Sequence, residues 1–297
     1  MNSVLAPRQV GSTIKPFTYL LALMDKGSHM SDTITDLPVS YATAEGTSYE
    51  PKNYSLRYRG PITLAEALAG SVNIPAVKMA ALVGVPRLQS YLGELGITTL
   101  SESPDHYGLA LTLGVGEISL WELVQAYTIF GSEGHLCPLS LESALPCTER
   151  GILKSPPNNI SEITESLSNP LYRLHEFSLG SALDFGKRRI FVKTGTSRNF
   201  RDNYTIGITP KYLIGVWTGN KDGSNMQGVS GASGAGEIFA QVVREIDPIG
   251  NAFASAPLPA SLSNTPTTDD LEITRPLGGT RYKNTGSLSL EYWSPRL

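Results

Sequence analysis

Ser12 and Lys15 stand three residues apart in Gly11-Ser12-Thr13-Ile14-Lys15, and apolar residues follow at Phe17, Leu20, Leu21 and Met24. Positions three apart on a helix are neighbours on one face, so a hydroxyl would lie beside an amine, a nucleophile with its base. A serine or threonine three residues before a lysine arises by chance about once in a chain of this length and ordinary composition. The bland alternative is a helix cap followed by a solvated lysine. For Lys15 to accept a proton near neutrality, its pKa must fall by about 3 pH units from about 10.4. Burial against Ile14 and Phe17, the positive end of the helix dipole and a second cation nearby all act in that direction. The chemistry therefore requires another lysine close by.

Two further segments could complete such a site. Ser71-Val72-Asn73 sits at the break between two apolar helical patterns. There Ser71 could relay a proton toward a leaving amine, and the Asn73 amide could hold both Lys15 and a substrate carbonyl. The competing view has Asn73 simply capping the helix that contains Pro75. Lys193-Thr194-Gly195-Thr196-Ser197 closes an apolar strand. Gly195 would let a substrate backbone approach the strand edge, Thr194 and Thr196 offer hydroxyl donors to a carboxylate, and Lys193 is the second cation. Its competing view is a solvated edge strand with a glycine bulge.

These residues need a scaffold to bring them together. Helical spacing from Ser12 to Gly27 predicts a helix beginning at the candidate nucleophile, with Pro16 tolerated in the first turn and Gly27 in the left-handed position after the last. Thr63-Leu64-Ala65-Glu66 and Ser119-Leu120-Trp121-Glu122 fit the capping box and start helices ending near Gly70 and Gly131. Ile74 to Val83 and Pro86 to Leu95 are helical between them, while Asp32 to Arg59 reads as irregular surface structure. Arg189 to Ser197, Asn203 to Ile208 and Tyr212 to Thr218 predict an antiparallel meander, with a turn at Thr209-Pro210-Lys211. A glycine-rich stretch, Gly228 to Gly236, leads to a last helix with Ile238, Phe239, Val242, Val243 and Ile246 on one face. Residues 251–270, rich in Pro, Ser, Thr and Asn, read as a linker, and residues 271–297 hold too few residues for a core of their own.

With 297 residues, the chain can bury a large core. Its 24 basic and 27 acidic residues give a net charge of −3, too small a field to recruit nucleic acid or an anionic membrane. The longest purely apolar stretch, Tyr19 to Met24, is far shorter than the roughly 20 residues that span a bilayer. Cys137 and Cys147, with only His135 near them, fall short of a four-ligand zinc site, so neither metal nor another cofactor is indicated. The two cysteines flank Pro138 and Pro146 and leave two options open, a bridge in an oxidising compartment or two free thiols.

In chain order, the three motifs form the S-x-x-K, S-x-N and K-T-G set of penicillin-binding proteins and class A β-lactamases. Further pieces join them: Ala6-Pro7-Arg8-Gln9, Gly60-Pro61 to Ala76, Gly108-Leu109-Ala110-Leu111, Phe200-Arg201-Asp202-Asn203 through Gly219-Asn220, and Gly228-Val229-Ser230-Gly231 through Gly236. Together they resemble the transpeptidase domain of a class A penicillin-binding protein, nearest in pattern to the penicillin-binding protein 1C type. The resemblance implies an α/β (α+β) fold of the serine β-lactamase and transpeptidase kind, an antiparallel sheet flanked by helices beside an all-helical subdomain, with the site in the cleft between them. Residues 1–250 would form that domain, and 271–297 the start of a small C-terminal β module. Because only ten residues precede Gly11, the sheet is expected to lack its N-terminal strands and to carry an unpaired edge.

The resemblance also implies roles. Ser12 would attack the penultimate D-alanine carbonyl of a peptidoglycan stem peptide while Lys15 takes its proton. Backbone N–H groups of Ser12 and Thr196 would form the oxyanion hole, Ser71, Asn73 and Lys193 would serve proton transfer and positioning, and Thr194, Gly195, Thr196 and Ser197 would bind substrate. β-Lactam antibiotics would acylate Ser12, other cell-wall synthesis proteins would be partners, and the site would face the periplasm from the bacterial inner membrane. Three alternatives compete. A β-lactamase would need a deacylating carboxylate, usually in an E-x-x-L-N run that the sequence lacks. A D,D-carboxypeptidase would use water as acceptor, and an inactive relative would serve as a wall-binding scaffold.

Overall fold

Nine successive residues from Lys15 to Leu23 are buried on every side, which makes the helix that follows the candidate nucleophile the centre of the molecule rather than an amphipathic surface helix. The structure is a computed structural model that describes residues 2–43, 46–140, 152–174, 181–185 and 188–247. All of these lie in one unit, Met1–Ala256. The linker, the C-terminal module and Cys147 fall outside the described residues, and Cys137 is disulfide-bonded.

In chain order, strand β1 (Arg8–Gln9) leads through a 3-10 turn, Gly11–Ile14, into α1 (Lys15–Lys26). Short strands β2 (Thr33–Asp36), β3 (Tyr41–Ala42), β4 (Ser48–Tyr49) and β5 (Gly60–Thr63) precede α2 (Leu64–Ala69), α3 (Asn73–Val83) and α4 (Val85–Glu94). Then come α5 (Pro104–Tyr107), a 3-10 turn at Gly108–Leu113, β6 (Glu117–Ile118), α6 (Leu120–Gly131), β7 (His135–Leu136), β8 (Ile152–Leu153) and α7 (Pro157–Ser168). The meander is β9 (Phe191–Thr196), β10 (Asp202–Ile208) and β11 (Leu213–Gly219), and α8 (Ala235–Ile246) closes the described chain. Both capping boxes form. Thr63 N–H donates to Glu66 Oε2 at 2.9 Å, and Ser119 N–H to Glu122 Oε2 at 3.2 Å. Among the described residues, no helix is long and apolar enough to cross a membrane.

The meander is a three-stranded antiparallel sheet ordered β11-β10-β9, in register from Phe191 opposite Ile208 to Thr196 opposite Asn203. Both β9 and β11 are edges among the described residues. Side chains alternate between two faces. One face, with Phe191, Tyr204, Ile206 and Ile208, joins the main core around α1 and α6. The other, with Val192, Ile214 and Val216, packs on Phe239 and Val243 of α8. That arrangement corrects the expected apolar face of the last helix. The buried residues are Ala235, Gly236, Phe239, Ala240 and Val243; Ile238 is exposed because it falls to the side of that face, and Ile246 is exposed at the last position of the helix. The segment read as irregular surface, Asp32 to Arg59, contains three short strands and two buried polar residues, Asp36 and Asn53.

An aromatic cluster ties the layers together. Phe17 of α1 meets Tyr127 edge-on at 5.2 Å and Phe130 at 5.4 Å, and Phe191 of β9 stacks on Phe130 at 5.5 Å. Tyr127 also donates its hydroxyl to Thr13 C=O at 2.6 Å, so the same cluster holds the turn before α1.

Glycines let three backbones meet. A Cβ on Gly114 would lie 2.0 Å from Gly11 O, one on Gly11 2.6 Å from Thr196 O, and one on Gly195 2.2 Å from Val10 O. Gly11 and Gly114 also have left-handed φ values of 57° and 76°. The Gly11–Ile14 turn is therefore clamped between the loop at Gly114 and the end of β9. Gly114→Ala should lower unfolding free energy by about 3 kcal/mol, from an overpacking cost of about 1–3 and left-handed strain of about 1–2. Urea denaturation would measure it, and an unchanged midpoint would contradict the clamp.

Candidate active site

Lys15 and Lys193, far apart in sequence, converge on one hydroxyl. Lys193 Nζ donates to Ser71 Oγ at 2.8 Å, and Lys15 Nζ lies 3.4 Å from the same oxygen. Lys15 Nζ further donates to Ser71 C=O at 2.5 Å, Asn73 Oδ1 at 2.7 Å and Val72 C=O at 3.3 Å. Lys193 Nζ also donates to Thr194 C=O at 2.8 Å. Neither lysine is solvated, since Lys15 is 0% and Lys193 2% exposed. Carbonyl oxygens replace water around both ammonium groups, which makes their burial tolerable.

Ser71 reaches both lysines because of how α2 ends. Gly70 keeps a right-handed φ of −75°, and Ser71 takes the left-handed position at φ 58°. Ser71 N–H donates to Leu68 C=O at 3.0 Å and Val72 N–H to Ala67 C=O at 2.9 Å, the paired bonds of a Schellman motif. Left-handed geometry in a non-glycine residue costs on the order of 1–2 kcal/mol. Here it turns both the carbonyl and the hydroxyl of Ser71 toward Lys15. The competing view, that Asn73 simply caps its own helix, is not met. Val72 is the N-cap residue, without a side-chain cap, and Asn73 lies inside the first turn with its amide on Lys15 and on Lys52 C=O, the latter at 2.8 Å.

Ser12 is half-buried in the 3-10 turn that precedes Lys15. Its hydroxyl has no hydrogen-bond partner among the described residues. Its backbone N–H lies in a first turn, where donors lack intrahelical partners. Thr196 supplies a second free donor for a topological reason. Ser197 N–H donates to Asp202 C=O at 2.9 Å, so alternation of the antiparallel ladder turns the N–H groups of Thr196 and Thr194 toward the open edge of β9. Thr196 N is also one of the atoms nearest the Gly11 Cα–Cβ direction. The open backbone edge of β9 at Thr196 thus lies against the turn that carries Ser12.

The remaining residues of the third motif divide. Thr196 Oγ1 accepts from Gly231 N–H at 2.9 Å, which lays the glycine-rich stretch under β9 and leaves the hydroxyl proton available. Ser197 is placed elsewhere. Its hydroxyl is buried against Asp202, accepting from Asp202 N–H at 2.8 Å and donating to Oδ2 at 3.3 Å, so it secures the β9–β10 turn instead of facing the cleft. Asp202 in turn accepts from Trp217 Nε1 at 3.0 Å and pairs with Arg8, whose guanidinium lies 4.5 Å from the Trp217 ring. Sequence reasoning did not single out this network. Nor did it find Asn53, whose Oδ1 accepts from Asn73 N–H and Ile74 N–H at 3.1 Å each. Neither has a periodic signal, because most of their partners lie in distant segments of the chain.

Fold and comparisons together place the chain in the penicillin-binding transpeptidase class. The family model described as "Penicillin binding protein transpeptidase domain" matches residues 2–243, and the chain belongs to that family. It is similar to penicillin-binding protein 1C of Escherichia coli K12, 31% identical over 242 residues, covering 82% of this chain and 30% of that protein. It is similar also to penicillin-binding protein 1B of Vibrio cholerae, 28% identical over 255 residues, covering 82% and 32%. The chain spans about a third of the length of these relatives. Among solved structures it resembles penicillin-binding protein 1A of Haemophilus influenzae, with a TM-score of 0.66 and 23% identity over 80% of this chain and 42% of that one. It also resembles PonA1 of Mycobacterium tuberculosis in complex with penicillin V, with a TM-score of 0.68 and 19% identity over 83% and 71%.

Burial pushes the Lys193 ammonium down to about 7. At neutrality it is therefore poised between donor and acceptor toward Ser71 Oγ. The folded pKa lies below the unfolded one, so between about pH 7 and 10.5 the unfolded chain holds a proton that the folded chain has lost. This residue's contribution should make stability rise with pH across that window and stay flat below it. Urea unfolding at several pH values should show the rise in the wild type and a smaller one in Lys193→Met. Identical slopes would contradict the assignment.

Proposed function

We propose that this chain carries a peptidoglycan D,D-transpeptidase site that acts on stem peptides ending in D-alanyl-D-alanine at the periplasmic face of the bacterial inner membrane. The observation that carries it is the convergence on Ser71 Oγ of Lys193 and of Lys15, three residues after Ser12, with the free N–H edge of β9 against the turn that holds Ser12.

Ser12 Oγ adds to the penultimate D-alanine carbonyl as its proton passes to Lys15 in its amine form. The carbonyl oxygen becomes an anion between the N–H groups of Ser12 and Thr196, a contribution of about 3–4 kcal/mol where water is excluded. Collapse of the tetrahedral intermediate breaks the C–N bond. The departing D-alanine nitrogen takes a proton from Ser71, which is resupplied from Lys15 or Lys193. An amine on a neighbouring stem then attacks the ester; its proton passes through Lys15 to Ser12 Oγ as the acyl C–O bond breaks, which restores Ser12 and forms the crosslink. Asn73 holds Lys15 in place throughout, and Thr194 and Thr196 meet the substrate strand along the edge of β9.

A β-lactam follows the same first step, but its leaving nitrogen stays tethered, so the acyl-enzyme persists. Intact mass spectrometry after penicillin treatment should show one adduct on the wild type and none on Ser12→Ala. Lys15→Ala should acylate about a hundredfold to ten-thousandfold more slowly. A wild type that forms no adduct would overturn the assignment, and one that rapidly loses its adduct would make the protein a hydrolase.

A further inference from the structure

Asn73 presents its amide to Lys15 only because something else caps α3. That residue is Asn53, 20 positions upstream and 5% exposed. Its Oδ1 takes the N–H groups of Asn73 and Ile74, at 3.1 Å each. Its Nδ2 donates to Asp36, at 2.7 Å to Oδ1 and 2.9 Å to Oδ2, and to Arg57 C=O at 2.9 Å. Asp36 is fully buried and also accepts Arg59 N–H at 3.0 Å. The neighbouring Lys52 C=O accepts the other end of the Asn73 amide at 2.8 Å.

These bonds have one orientation. Asn53 must present oxygen to α3 and nitrogen to Asp36, because helix N–H groups need an acceptor and a carboxylate needs a donor. Asp36 thereby fixes which way the Asn53 amide faces, Asn53 fixes the start of α3, and Lys52 C=O fixes which way the Asn73 amide faces. With its nitrogen committed to Lys52, Asn73 can offer only Oδ1 to Lys15. Without Asn53, the N–H groups of Asn73 and Ile74 lose their cap, and the start of α3 is free to shift together with the Asn73 carboxamide.

We propose that Asn53, oriented by Asp36, is a positioning residue for acylation, acting through Asn73 on the placement of Lys15. The inference rests on the transpeptidase reading above. It differs from a simple stabilising role because it predicts lost rate at saturation and recovery when the pair is exchanged. A misplacement on the order of 1 Å at the base costs up to about a hundredfold in rate.

The test uses the chain as described and a fluorescent penicillin, measuring first-order acylation rate at saturation and the half-saturating concentration, with thermal melts alongside. Asn53→Ala should acylate about tenfold to a hundredfold more slowly, with the half-saturating concentration little changed. Asn53→Asp keeps a helix cap but sets two carboxylates face to face, and should be similarly slow. Combining D36N with N53D puts the donor amide at position 36 and the acceptor at position 53, and should recover most of the rate. Should Asn53→Ala fail to fold, N53D against the exchange carries the same comparison. Wild-type rates in N53A or N53D, or an exchange no faster than N53D alone, would overturn the proposal whatever the melting temperatures. A wild type that forms no adduct would instead overturn the transpeptidase reading and this inference with it.

Discussion

Between Gly11 and Thr196 there is no room for a methyl group. The turn that carries Ser12 lies against the end of β9 backbone to backbone, with Gly114 pressed on its other side and Gly195 against Val10. Side chains at an interface can rotate to accommodate one another, but main chains in contact have few alternatives. The distance between a hydroxyl on one segment and an N–H on the other is therefore set by the backbone of both. Everything proposed for the oxyanion hole depends on that contact. The aromatic cluster of Phe17, Tyr127, Phe130 and Phe191 backs it, and the bond from Tyr127 to Thr13 C=O holds the turn from behind.

The second constraint is charge without water. Two lysines lie within hydrogen-bond reach of one serine oxygen in a buried region, where two full positive charges would repel strongly. The site relieves this in two ways. Carbonyls of Ser71, Val72 and Thr194 and the Asn73 amide solvate the ammonium groups, and burial draws Lys193 toward neutrality. Ser71 accepts a left-handed backbone to provide two of these contacts at once. Local strain at that position is the counterpart of an arrangement in which one hydroxyl touches both possible proton carriers.

Much of the scaffold was legible in the sequence because its signals are local. The exchange of bonds between Thr63 and Glu66, and between Ser119 and Glu122, takes place within four residues, and the apolar runs from Ile190 to Val192 and around Leu213 to Trp217 mark β9 and β11. The lysine pair could be anticipated because the chemistry of Lys15 required it. What escaped is what depends on tertiary partners. Asn53 lies in a segment without periodicity, and its five hydrogen bonds reach residues 4 to 21 positions away. Ser71, rather than the neighbouring Gly70, takes the left-handed position that ends α2. Ser197 belonged to the motif by spacing, but the pleat turns it toward Asp202. In α7 the spacing of Ile160, Ile163 and Leu167 after Pro157 was sufficient to mark a helix, but sequence analysis assigned no element there.

The central claim is that the backbone clamp and the lysine pair serve one acylation centre at Ser12. A crystal structure of the penicillin adduct tests it most directly. The account predicts continuous density from Ser12 Oγ, an ester carbonyl oxygen about 3 Å from the N–H groups of both Ser12 and Thr196, and Lys15 and Lys193 still meeting at Ser71. Density attached to another residue, or an ester carbonyl pointing away from Thr196 into solvent, would contradict it.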